Sequence, residues 1–496
     1  MTILWTEEAL CQATGGVFHN NTSPCPPITG VSIDTRTLAK GDMFVALKGE
    51  NQDGHAHLEE AFAKGASCAM VAHDSRAHGF GSLTPQYPAL VVDDPFKGLQ
   101  KLAFAARKRF KGTMLAVTGS VGKTTTKNML QAAFSAYGVS HAADASYNNH
   151  IGVPLTLARL PAEAQFAICE IGMNHQGEVL PLAQMVQPDL AIITTIASAH
   201  IGHMGNMEAI AQEKASLLQA LHSKGAAFVP FLPHFFPVFK ASLPSADVKF
   251  YTTDLSNPSA NLYATDLILE DSGSQFIAHL PKDRPESFQE PSPSHHLEHD
   301  PQHSGEQNIS VTLSSGGKHL IYSALITLGA LWHCGLPLRK GCEAIAQFQP
   351  GKGRGGLYNL NNGDLLLIDE SYNASALSIR NSLSTLGLYK NRRHIAILGD
   401  IRELGPFSQS EHESLAPDVM ANADLVFCAG PEMKHLYNKL PFSLQGGWQA
   451  SAQTLIDDIF PALRKGDVIL VKGSNASRMG EIVQKLLQTY RGGILI

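Results

Sequence analysis

An apolar strand, a tight glycine turn and a helix follow one another without interruption in TMLAVTGSVGKTTTKNMLQAAFSAYG. Few folds accept that order. Gly119 and Gly122, with Ser120 and Val121 between them, let the backbone turn sharply and aim its N–H groups at an anion. The helix that follows presents its positive N-terminal end to the same point. Lys123 is placed to reach the outer phosphates of a nucleoside triphosphate, and the hydroxyl of Thr124 or Thr125 to hold Mg²⁺. The full G-x-x-x-x-G-K-[ST] pattern is not met, because Val117 stands where its first glycine belongs. The strand–turn–helix setting, more than the four letters GKTT, predicts phosphate binding rather than a plain connecting turn.

The rest of the chain repeats the rhythm. Strand-like runs are expected at Val31–Ile33, Met43–Leu47, 68–71, 89–94, 165–172 and 189–197, and again at 364–369, 394–399, 424–430 and 467–473. Helical stretches stand between them, among them 96–110 and 318–347, and the helix ahead of Gly65 ends on a C-capping glycine. Strands alternating with helices predict an α/β protein with doubly wound, mostly parallel sheets. At 496 residues the chain exceeds one ordinary domain, and roughly 100–200 residues per domain suggests three. Residues 271–317 break the rhythm. PKDRPESFQEPSPSHHLEHDPQHSGEQ is poor in aliphatic residues, so the segment is expected to be a flexible insertion. Its His295, His296, His299 and His303 read as solvated residues before metal ligands.

Composition narrows the function. A net charge of -6 leaves no basic footprint for nucleic acid and no polybasic membrane anchor. Seven scattered cysteines without a CxxC pair fit reduced thiols in a cytoplasmic setting. The start, MTILWTEEALCQ, has neither the basic region nor the apolar run of a signal peptide. No run approaches the roughly 18 apolar residues of a membrane span.

Several isolated residues have two readings each. Glu170 ends an apolar strand and is either a Mg²⁺ ligand or a capping carboxylate; His200 is either a ligand or a loop residue. Lys214, within a helix, defaults to solvent. Asp369 and Asp400 each end a strand, where they hold a ribose or phosphate or simply N-cap the next helix.

Several longer segments occur together in one order: SIDTRTLAKGDMFVALKGENQDGH (32–55), TGSVGKTT, NNHIGVPLTL (148–157), EIGMNHQGE (170–178), GKGRG (351–355), DESYNAS (369–375), LGDIRELG (398–405) and VKGSNASRM (471–479). In these the chain resembles the Mur ligase family over nearly its whole length, the insertion apart. The resemblance implies three domains, 1–93 for the UDP end of a sugar nucleotide, 94–347 for ATP, and 348–496 as a Rossmann-like closing domain. It implies an ATP- and Mg²⁺-dependent, ADP-forming ligase of peptidoglycan precursor synthesis. The expected substrates are UDP-MurNAc-tripeptide and D-Ala-D-Ala, joined through an acyl phosphate by a monomeric cytoplasmic enzyme.

The same resemblance implies residue roles. Thr124, Glu170 and His200 match metal ligands, and Lys214 matches a lysine that becomes a carbamate. His319, Arg354 and Asp369 match nucleotide contacts, Asp369 at the ribose. Ser32, Asp34, Thr35 and Arg36 fall in the UDP segment, and Asn148, Asn149, Tyr372 and Asn373 match contacts to the peptide end. Two departures stand out. Where the family reads H-N-x-x-N-A-L-A, this chain reads HLIYSALI, with Leu320 and Ser323 for the two Asn. In AHIGHMG, Gly202 and His203 replace an acidic residue and a glycine. A ligase adding the tripeptide's third residue is the nearest alternative, but its D-N-P-R-like motif is missing. A folylpolyglutamate synthetase would lack the UDP-type segment. A catalytically dead nucleotide-binding scaffold has only the altered 319–323 region in its favour.

Overall fold

The computed structural model describes residues 3–19, 25–73, 87–270, 273–283, 308–490 and 494–495. The chain divides into two compact units. The first comprises Met1–Ala116, Gly138–Met173 and Val179–Asp189, and the second Val117–Tyr137, Asn174–Glu178 and Leu190–Ile496.

In the first unit a five-stranded sheet runs in the order Val17–His19, Ala89–Val92, Cys68–Ala72, Asp42–Val45, Gly30–Ser32. The first pair is antiparallel and the others parallel. Asp42–Val45 is buried at every position, as expected of a central strand covered on both faces. The helix Pro95–Arg109 begins where Asp94 caps the N–H groups of Phe96 and Lys97, with proline at its first position. It ends on Arg107, Lys108 and Arg109, which complement the helix dipole. Arg109 also clamps the chain start: its guanidinium lies 3.9 Å from the Trp5 ring centroid and donates to the carbonyls of Leu4 and Leu160. Ser140–Ala142 and Phe166–Glu170 pair in parallel.

The strand Thr113–Thr118 carries the chain from the first unit into the second. There Leu190–Ile193, Ala226–Pro230 and Lys249–Thr253 pair in parallel. The helix Lys318–His333 is buried almost all round and packs on Lys123–Ser135. A seven-stranded sheet follows in the order Gln445–Gln449, Leu425–Ala429, Arg393–Gly399, Asp467–Lys472, Leu365–Glu370, Gly356–Leu360, Ile494–Leu495. Its first five strands are parallel; Gly356–Leu360 is antiparallel to both neighbours. The mixed α/β class with mostly parallel sheets is thus as expected.

The expectation of a flexible insertion at 271–317 is corrected where the segment is described, at 273–283 and 308–317; residues 284–307 lie outside the described residues. Gly273–His279 and Asn308–Leu313 are strands that join Tyr263–Glu270 in an antiparallel three-stranded sheet. Alternate side chains of these strands are buried, Phe276, Ala278, Val311 and Leu313 among them, so the strands have an apolar face to bury. The histidines at 295, 296, 299 and 303 lie outside the described residues. The single helical stretch at 318–347 is in fact two helices, Lys318–His333 and Leu338–Ala346, separated by Gly335 at φ 72° and Pro337. None of the seven cysteines is in a disulfide. Among the described residues no helix is long and apolar enough to cross a membrane.

Candidate active site

The glycine turn has the predicted shape, and its neighbours show why. Gly119 sits at φ 145° and Gly122 at φ 86°. A Cβ on Gly119 would lie 1.9 Å from Thr194 Oγ1, so the turn lies flush on the end of the neighbouring strand. Thr194 Oγ1 donates to the carbonyl of Val121 at 2.6 Å, and Ser120 exchanges hydrogen bonds with the backbone of Thr195 and Ala197. Lys123–Ser135 starts on Gly122 without a capping side chain, which leaves its end suited to an anion. Lys123 Nζ donates to the carbonyl of Gly119 at 2.7 Å. Thr124 is buried and Thr125 half-buried on the first turn. Gly119→Ala should therefore displace the turn. The overpacking is expected to cost about 1–3 kcal/mol and to weaken binding of an ATP analogue at least tenfold, read by titration calorimetry beside a thermal melt.

Lys214 does not face solvent. It is 1% exposed, on the helix Met207–Ala215. Burial pushes its amine well below the ordinary lysine value, and the charge of Lys123 pushes the same way. Glu213 beside it accepts from the Gly177 N–H at 2.8 Å, which ties this helix to the EIGMNHQGE segment. His200 heads the short helix Ile201–Met204 with its Nδ1 hydrogen-bonded to the Glu403 carboxylate. The hydrogen bond from His200 holds that carboxyl below the usual range. His203 is exposed, its ring centroid 4.8 Å from that of His175.

Arg354 lies 3.8 Å from the ring centroid of Tyr372. Its loop is held by Asp369, which is 1% exposed. One Asp369 oxygen accepts from Gly353 N–H at 3.1 Å and the other from the backbone and hydroxyl of Ser371. Asn373 offers its carbonyl to Lys472 Nζ, which also pairs with Glu370 at 3.1 Å. Burial pushes the Glu370 carboxyl up, but Lys472, His319 and Arg354 bring it below its ordinary value. His319, Leu320, Pro350, Glu370 and Tyr389 help line a small pocket. His319 Nδ1 is buried with no hydrogen-bond partner among the described residues. Ser323 is engaged within the fold: its hydroxyl accepts from Thr126 Oγ1 and donates to the carbonyl of His319, both at 3.1 Å. Asp400 does not N-cap the helix that follows it; it accepts from Met433 N–H at 2.8 Å, at the start of Met433–Tyr437, 33 positions on.

The first unit carries the remaining candidates. Glu170, 3% exposed at its strand end, accepts from Asn148 Nδ2 at 2.8 Å. Asn149 caps the helix Gly152–Ala158 through the N–H groups of Ile151 and Gly152. Ser32 is buried and its hydroxyl closes a turn with Asp34; Thr35 is buried and its carbonyl accepts from Lys64. Arg36 is exposed, with its guanidinium bidentate on Asp34. The hydrogen bond from Arg36 holds the Asp34 carboxyl low. Glu213 and Glu403 are residues that reasoning from the sequence did not single out. Their one signal was position, beside Lys214 and inside LGDIRELG.

Comparison with known proteins gives the class of protein in which this glycine turn and buried lysine stand. Three family models match in succession: "Mur ligase family, catalytic domain" at residues 27–94, "Mur ligase middle domain" at 117–331, and "Mur ligase, glutamate ligase domain" at 353–475. The chain belongs to the Mur ligase family and is an ATP-dependent, amide-bond-forming ligase. Among relatives, the UDP-N-acetylmuramoyl-tripeptide--D-alanyl-D-alanine ligase of Rickettsia prowazekii is 27% identical, over 97% of this chain and 99% of its own length. The ligase of the same name from Synechocystis is 29% identical, over 93% and 92%. A crystal structure of MurF from Acinetobacter baumannii superposes with a TM-score of 0.78 at 26% identity, covering 98% of this chain and 99% of that one.

Proposed function

We propose that the chain joins D-Ala-D-Ala to the peptide carboxyl end of UDP-MurNAc-tripeptide, at the expense of ATP, to give UDP-MurNAc-pentapeptide in the cytoplasm. The observation that carries this is the Gly119–Gly122 turn leading into Lys123, with the amine of Lys214 buried and held below its ordinary value by that burial first and by Lys123 second. The names of the full-length relatives supply the substrates. Residues 1–93 would take the UDP end, 94–347 the ATP and 348–496 the adenosine side and peptide end.

The donor set suits a hard divalent cation. Thr124 in the second unit and Glu170 in the first each offer oxygens, and burial favours the neutral amine of Lys214, the form that would take up CO₂ to become an oxygen donor too. In the second unit Thr124, His200 and the Lys214 carbamate would hold Mg²⁺, which would supply charge neutralisation at the transferring phosphoryl group. The loop amides and Lys123 bind the outer phosphates, Lys123 leaving the Gly119 carbonyl to do so. The tripeptide carboxylate attacks the γ-phosphorus and ADP departs. The amine of D-Ala-D-Ala then attacks the acyl carbon, and phosphate is expelled. Preorganised donors stabilise each charge as it develops, and exclusion of water protects the acyl phosphate. Arg354 and His319 serve the nucleotide, with Asp369 at the ribose. Through Gly353, Asp369 also fixes the loop that carries Arg354. Asn148, Asn149, Tyr372 and Asn373 face the peptide end, and Ser32 to Arg36 the UDP.

The test is purified protein with ATP, Mg²⁺, D-Ala-D-Ala and UDP-tripeptides carrying diaminopimelate or lysine, followed by mass spectrometry. A pentapeptide product with ADP release that requires both substrates is expected. Release of ADP without D-Ala-D-Ala, or no turnover on either tripeptide, overturns the reading.

A further inference from the structure

Two loops of the second unit meet, and each holds a residue in left-handed backbone: His200 at φ 62° and Glu403 at φ 64°. Neither is glycine, so both conformations are disfavoured by L-residue sterics. The packing around them enforces both. Gly202 N–H donates to the Glu403 carbonyl at 3.0 Å, and a Cβ on Gly202 would lie 2.6 Å from the nitrogen of Gly405. Ser198 Oγ donates to Glu411 Oε2 at 2.8 Å nearby. At the centre the Glu403 carboxylate hydrogen-bonds His200 Nδ1. Strain at two facing residues, sustained by close backbone packing, marks a site where side-chain placement matters more than backbone comfort.

A carboxylate can only accept, so Nδ1 carries the proton of the neutral ring and Nε2 keeps its lone pair. Proteins commonly present an imidazole to a cation in this way, with a carboxylate behind the ring fixing tautomer and orientation. We propose that Glu403 is the positioning residue that sets His200 with Nε2 free for a divalent cation, so that cation binding depends on residues 403–405 being seated against 200–205. This rests on the reading of His200 as a metal ligand given above. It adds a residue from a different motif, 203 positions away in the chain. It also implies a physical dependence: a cation bound through His200 would favour the seated loop.

The test uses the full chain, Mn²⁺ as probe with a non-hydrolysable ATP analogue, and ¹⁵N-histidine labelling. In the unmodified protein, ¹⁵N shifts should report the Nδ1–H tautomer at His200, and electron spin-echo modulation a directly bound imidazole nitrogen on Mn²⁺. Glu403→Ala should weaken Mn²⁺ binding roughly 10–100-fold and lose the fixed tautomer. Glu403→Gln, which keeps an acceptor oxygen, should recover most of both. Should the alanine variant not fold, Glu403→Asp withdraws the acceptor by one methylene, and the same loss is expected. Mn²⁺ affinity within twofold of the unmodified protein and an unchanged nitrogen signal in either variant overturn the proposal. If His200→Ala also leaves Mn²⁺ affinity and the nitrogen signal untouched, the ligand reading of His200 has failed and the proposal falls with it. If His200→Ala abolishes the signal while Glu403→Ala does not, only the role of Glu403 is refuted.

Discussion

Lys123→Ala should lower kcat by roughly 10²–10³, the loss typical of one preorganised donor at a developing charge. The expectation follows from the geometry of the turn. Gly119 and Gly122 set the backbone, Thr194 and Ser120 pin it, and Lys123 leads the helix whose N-terminal end bears no capping side chain. The lysine therefore adds a mobile full charge to a rigid cradle of partial charges. Its removal should leave the cradle intact, because Thr194 and Ser120 pin the turn's backbone without the lysine side chain. The melting temperature should accordingly stay close to that of the unmodified protein while turnover collapses. Initial rates of ADP release at saturating substrates, beside a thermal melt, check both halves. Turnover near that of the unmodified enzyme would remove the phosphate-loop assignment; a large loss of stability would mean that Lys123 is structural.

That turn could be read from the chain before any coordinates because its determinants are local: an apolar strand, two glycines and a helix within a few positions. The parallel sheets were legible for a similar reason, since Arg393–Gly399 and Asp467–Lys472 are short apolar runs between turn residues. The strands Gly273–His279 and Asn308–Leu313 were not. They flank a stretch of Pro, Ser and His, and their pairing joins residues more than a turn apart, so composition alone spoke for a loop.

The site shows the same division more sharply. Glu403 pairs with His200 from 203 positions away, and no local pattern encodes a pairing at that distance. Asp369 and Asp400 end strands in the same way, yet one holds the Gly353–Ser371 loop and the other caps Met433–Tyr437. The difference lies in what the next loop folds back upon, which is tertiary information. Ser323, in place of an amide expected from the family pattern, spends its hydroxyl on Thr126 and His319. That leaves the buried His319 ring as the polar group of the family pattern still lining the pocket.

Lys214 gives the other large effect, and it has opposite signs on activity and stability. Helical lysines default to solvent, yet this one is 1% exposed, with burial first and then Lys123 driving its pKa well below the ordinary value. The folded-state pKa is thus depressed relative to the unfolded chain. Below the ordinary lysine value the unfolded chain binds a proton that the folded protein resists, so stability is lost progressively as pH falls towards the folded pKa. In CO₂-depleted buffer Lys214→Met, uncharged and of similar length, should therefore melt higher than the unmodified protein near neutral pH. The gain should shrink as pH rises towards the ordinary lysine range, which differential scanning calorimetry across pH 7 to about 10 would follow. Activity should move the other way. A neutral amine is the form that captures CO₂, and losing the resulting oxygen donor should reduce kcat by roughly 10²–10³. Bicarbonate should raise the turnover of a CO₂-stripped unmodified enzyme and leave that of Lys214→Met unchanged. A methionine variant that melts lower at neutral pH would contradict the buried neutral amine, whereas one that turns over normally would take Lys214 out of the reaction.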